Sequence, residues 1–144
     1  MILVDKCINH SIWLINAIKE HNKLVNQDIT FKMTDKVFIL NKSFQKYFYS
    51  FNVYQKLFAK FDKGFNFLLA NNKIHKHTLI NIKNTYLNRS AMHFKQAGDY
   101  LKMARNEMTI QGQVFAFIFS EMKNISSTLM NLENDLNYLI NNLY

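Results

Sequence analysis

Apolar residues recur at the pitch of an α-helix along most of this chain. In the first segment Ile8, Ile12, Ile15 and Ile18, with Trp13 and Leu14 beside them, predict a helix over about residues 5–26. In the QDITFKMTD that follows, Ile29, Phe31 and Met33 alternate with polar residues, the pattern of an extended connector or a very short strand. Thr34 or Asp35 then offers a side-chain oxygen to cap the next helix.

That next helix contains KSFQKYFYSFNVYQKLFAKFDKGFNFLL, residues 42–69, with ten aromatic residues and five lysines. Stepped at about 100° per residue, Val37, Leu40, Phe44, Tyr47, Phe48, Phe51, Tyr54, Phe58 and Phe61 fall on one arc. Lys42, Lys46, Lys56, Lys60 and Lys63 fall on the opposite arc, with Tyr49 and Val53 among them. A wide aromatic stripe facing away from the cations is the signature of a core face. The competing reading, a platform that stacks bases, requires the same rings to be open to water. Gly64 is expected to end the helix in the left-handed conformation. FNFLLANN, residues 65–72, then reads as a short apolar turn into a loop, and a further helix starts at about Lys73 and runs through Leu79, Ile82 and Tyr86.

From Phe94 to Leu143 apolar positions alternate in steps of three and four, with Gln111 the only polar member. TIQG at 109–112 marks the expected break between two helices, because glycine disfavours a helix interior. The end of the stripe, Ile125, Leu129, Leu132, Leu136, Leu139 and Leu143, has two readings. It is either a bundle helix packing inside its own fold or a seam between subunits. A specific coiled coil flanks its seam with complementary charges. The flanking positions here hold Phe119, Ser126, Thr128, Glu133 and Asp135 without lysine partners, which favours the bundle.

Composition agrees with helices. No proline and three glycines in 144 residues leave little material for the turns of a hairpin-rich fold. The expected architecture is all-α, a four- to five-helix bundle over residues 1–144 as one domain. One cysteine, Cys7, excludes an internal disulfide and suits a reducing cytoplasm. The start, MILVDKCINHSIW, does not resemble a cleaved signal, and VFAFIF at 114–119 is far too short to span a membrane.

The net charge of +8 comes from 16 lysines and two arginines, beside 19 asparagines. This lysine- and asparagine-rich usage is what AT-rich coding sequence produces, as in a low-GC bacterium, its phage or a large virus. The placement of charge says more. Residues 36–95 carry ten lysines and Arg89 against Asp62, whereas residues 106–144 carry Lys123 against four acids. Such asymmetry steers charged partners or draws the ends onto the middle.

Candidate chemistry is thin. None of the four glutamates stands three residues before a histidine, so the ligand pattern of a di-iron bundle is missing. His75 and His77 point to nearly opposite sides if that segment is helical. Cys7 lies near His10 on the first helix, although a small buried hydrophobe is the ordinary role of such a cysteine. No metal or cofactor is expected. In NRSAMHF, Arg89 stands four residues before His93, on one helical face, followed by polar Ser90. The arrangement resembles that of the small helical RNases of the HEPN class, whose arginine and histidine have four to six residues between them against three here. That resemblance implies an arginine that neutralises the scissile phosphate and a histidine that activates or orients a ribose hydroxyl.

The leading expectation is a non-enzymatic helical bundle that binds another protein or itself. An alternative is a nucleic-acid binder using the basic face of Lys42, Lys46, Tyr49, Lys56, Lys60 and Lys63. A second alternative is the RNase built on Arg89 and His93.

Overall fold

Phe44, Tyr47, Phe51, Tyr54, Phe58, Phe61 and Phe65 are each at most 3% exposed. Neighbouring rings along this spine sit 5.4–6.1 Å apart, within the range of favourable aromatic contact. The platform reading of these rings does not survive their burial. The computed structural model describes residues 2–23, 42–107 and 112–143. They form α1 (Ile2–Lys23), α2 (Lys42–Ala70), α3 (Lys76–Ile82), a π-helical turn (Lys83–Leu87), α4 (Asn88–Glu107) and α5 (Gly112–Asn141). Because α3, the π turn and α4 run on without interruption, there are four rods and no strand among the described residues. The protein is an all-α helical bundle.

Successive rods run antiparallel. His10 and His21 of α1 meet Asp135 and Glu121 of α5, in reverse order. His21 of α1 reaches Tyr47 near the start of α2, while Val4 and Leu69, from opposite ends of those two helices, share one cavity. Phe94 of α4 packs against Phe51 and Tyr54, and Gly64 of α2 approaches Ile82 of α3. The result is an up-down-up-down arrangement. Its sides are unequal: α2 packs most extensively on α4, and α1 on α5, whereas α4 touches α5, and α1 touches α2, only sparingly.

Several boundaries differ from the sequence expectation. Gly64 does not end α2, which continues to Ala70. Phe65 and Leu68 prolong the buried stripe, and their burial outweighs the roughly 1 kcal/mol that glycine costs in a helix interior. The left-handed residue is Asn72, with φ 52°. Its N–H donates to the Leu69 carbonyl and that of Lys73 to the Leu68 carbonyl, the paired bonds of a Schellman cap. The next helix begins at Lys76, after an extended His75.

Beyond Ile82 the buried residue is Leu87, whereas Tyr86 is half-buried. A step of five residues between inward positions exceeds one α-helical turn, and the π turn absorbs the excess. Its closing bond runs from the Asn88 N–H to the Lys83 carbonyl. The connector at 27–35 with its caps, Val37, Leu40, and most of the break at 109–112 lie outside the described residues, although α4 ends at Glu107 and α5 begins at Gly112.

The C-terminal stripe closes within one chain. Ile125, Leu129, Leu132, Leu136 and Leu139 are buried in the chain's own core, and Leu143 is half-buried against it. The burial of Ile125 to Leu139 in the chain's own core is what the bundle reading expects.

Candidate functional site

Lys42, Lys46, Lys56, Lys60 and Lys63 all stand exposed on the outer side of α2, with Tyr49 71% exposed among them. Lys46 also lies over the Tyr100 ring, 5.6 Å from its centroid.

The catalytic candidates are dispersed. Arg89 is exposed and reaches back to the Thr85 carbonyl at 3.5 Å, while His93 is half-buried. Ser90 is fully buried, and its hydroxyl donates to the Leu87 carbonyl at 2.7 Å. The polar group that would complete an RNase-like trio is thus committed to its own helix. Cys7 is also fully buried; burial, helped by the Asp135 charge, pushes its thiol up to about 12. His10 is held by Asp135 at 2.9 Å, so no thiolate–imidazole pair forms. His75 and His77 do share a side, contrary to the helical expectation: their rings stack with centroids 5.8 Å apart. The cause is the extended backbone of His75, which precedes the first helical residue. No cluster of three or more His, Cys, Asp and Glu among the described residues is placed to hold a metal.

Sequence reasoning missed a buried polar chain. His21, 1% exposed, binds the Glu121 carboxylate through Nδ1 at 2.9 Å and the Tyr47 hydroxyl through Nε2. With Nδ1–H donating to the carboxylate, a neutral ring leaves Nε2 as acceptor for the Tyr47 O–H. Burial, with the Glu121 charge adding to it, pushes the Tyr47 phenol up, so that it stays a donor. The chain ties α1, α2 and α5 together. His10 and His21 stand 11 residues apart, close to three turns, and in retrospect that spacing signals one shared face.

A concavity lies where α4 and α5 diverge. It is a groove of about 630 Å³, within the range of ligand and peptide sites. Phe94, Met122 and Leu129 contribute buried apolar side chains to its lining, and half-buried Phe119 stands on one wall. Ala91, Gly98 and Ser126 keep it open by being small. A Cβ built on Gly98 would meet nothing within 4 Å. Lys95, Asp99 and Lys102 mark the α4 side, and Lys123, Met130 and Glu133 the α5 side. Burial raises the Glu133 carboxyl above its ordinary range, opposed by the charge of Lys83. Ser126 was visible in sequence as an uncharged flanking position. That small flanking residues on both stripes leave two helices apart could be inferred only once α4 and α5 were known to be neighbours.

No described helix is long and apolar enough to cross a membrane. No known family model, curated protein or solved structure matches this chain.

Proposed function

We propose that this protein is a non-enzymatic interaction module of the cytoplasm that binds another protein through the groove between α4 and α5. One observation carries this reading: α4 and α5 diverge and leave a groove with an apolar floor open along about three turns. Two diverging helices with an apolar floor offer the shape into which a partner helix lays its own apolar face. The dispersal of Arg89, Ser90, His93 and Cys7 supports a non-enzymatic role. The test compares the wild type with Gly98→Leu, a substitution that fills the groove while favouring helix. Light scattering and partner capture should give a defined complex or self-assembly with the wild type alone. A strictly monomeric wild type that captures the same proteins as the filled variant refutes the reading.

A second reading, nucleic-acid binding, has its own support in the uniform exposure of Lys42, Lys46, Tyr49, Lys56, Lys60 and Lys63. Counterion release predicts affinity that falls steeply with salt and disappears on charge reversal at Lys42, Lys46, Lys56 and Lys60. No binding at low salt eliminates it.

A further inference from the structure

The two ends of the groove differ in charge. Antiparallel pairing puts Lys102 of α4 and Lys123 of α5 at one end, next to Arg105, whose guanidinium lies 5.0 Å from the centroid of the Phe119 ring. Neither Lys102 nor Lys123 makes an ion pair with a described residue, and the two ion pairs among the described residues belong to His10 and His21. Asp99, one turn before Lys102, is the acid at that end, while the other end sets Glu133 against Lys95 and, nearby, Lys83. Cations outnumber acids along the groove and are most concentrated at the first end, so an anion is attracted there.

The walls also fix a length. On α4 the lining runs from Ala91 to Lys102 and on α5 from Phe119 to Glu133, so at 1.5 Å per residue the walls are about 16 and 21 Å long and face each other over about 16 Å. That length matches an α-helix of about three turns. The floor offers apolar contact at successive turns, which suits apolar residues spaced i, i+3, i+4, i+7 on the occupant.

From this complementarity we infer that the occupant of the groove is an acidic amphipathic helix of about three turns on a partner protein, with its carboxylates at the Lys102–Lys123 end. The inference rests on the groove being a protein-binding site and adds the chemistry of what it binds. A basic helix is disfavoured by the same geometry, because its cations would face Lys95, Lys102 and Lys123, none of which is ion-paired with a described residue.

The test uses two synthetic 16-residue peptides with identical leucine positions, one flanked by glutamates and the other by lysines. Each is titrated into the full-length protein by fluorescence anisotropy at about 50 mM salt, where exposed charges are weakly screened. The acidic peptide should bind about tenfold or more tighter, as expected from two or three partly exposed ion pairs. Its binding should be lost in Gly98→Leu and in Ser126→Phe, both checked for native circular dichroism. Lys102→Glu with Lys123→Glu should reverse the preference between the peptides. If both peptides bind equally and the filled variants lose both, the groove binds helices but the acidic assignment is wrong. If neither peptide binds, or filling the groove changes nothing, the docking reading itself falls with it. A wild-type dimer that Gly98→Leu converts to monomer would make a second copy the occupant and overturn the inference.

Discussion

At Tyr54 a polar atom lies in the middle of the aromatic spine: the side chain is 0% exposed and its hydroxyl has no partner among the described residues. An unsatisfied buried hydroxyl costs about 1–3 kcal/mol, while the ring contributes contacts with Phe51, Phe58 and Phe94. Tyr54→Phe keeps the ring and removes the orphan, so chemical denaturation should show a gain of about 1 kcal/mol. A loss of similar size would mean that the hydroxyl has a partner. Cys7 makes a different prediction. Its thiol titrates near its ordinary 9.0 when unfolded and at about 12 when folded. A raised folded value means that the native state binds more protons between those limits. Its stabilisation is complete below pH 9 and falls as pH rises toward 12. Stability should drop by about 1 kcal/mol between pH 8 and 10 from this group, and Cys7→Ala should flatten that slope. An unchanged slope would assign the alkaline loss to other groups.

At the scale of elements, the periodicity of α2 and α5 was legible because one stripe of each faces one core. By contrast, α1 buries Cys7, Ser11, Leu14, Ile18 and His21 and leaves Ile12 and Trp13 of the expected stripe exposed. The aromatic arc of α2 matched its buried face at Phe44, Tyr47, Phe51, Tyr54, Phe58 and Phe61, while Phe48 of the same arc is half-buried. Two features were illegible for physical reasons. Gly64 carries a helix-ending signal locally, yet Phe65 and Leu68 find burial only if the helix continues. The π turn leaves no local mark; it follows from the five-residue step between Ile82 and Leu87, and which of Tyr86 and Leu87 faces inward depends on α2. The groove was hidden for a related reason, since Gly98 and Ser126 acquire meaning only when their helices are neighbours. The π turn also yields a test. Deleting Thr85 shortens the step to four residues, a regular α-helical turn that keeps Ile82 and Leu87 on one face. The deletion should cost no more than about 1 kcal/mol, despite losing the 3.4 Å bond from Thr85 to Asn81. Inserting an alanine after Ala97 should cost more than about 3 kcal/mol, because it rotates Leu101 and Ala104 out of the core. Equal costs in a urea titration would show that the π turn does not set the register.

Across the whole molecule, charge and packing pull in opposite directions. Residues 42–70 carry five lysines against Asp62, and residues 76–107 carry six lysines and arginines against two acids, a net +4 for each. These are the two rods in closest contact, so the most extensive apolar interface joins the two most cationic elements. Residues 112–141 carry Lys123 against Glu121, Glu133 and Asp135, net −2, yet they pack mainly on α1. Apolar burial therefore decides which helices pair, and the like charges are accommodated by pointing outward: Lys42, Lys56, Lys60 and Lys63 are all exposed. That arrangement leaves self-repulsion unrelieved at low ionic strength. Raising salt from about 20 to 200 mM shortens the Debye length from about 20 Å to below 10 Å, less than the distance around a bundle of this width. The Tm of the wild type should rise by a few degrees over that range. The rise should shrink in a variant with Lys42, Lys46, Lys56 and Lys60 all replaced by glutamine, which should itself match the salt-stabilised wild type. If salt instead lowers the Tm, the attraction between the basic rods and α5 outweighs the repulsion between α2 and α4, and the exposed lysines act within the fold and are not held free for a partner.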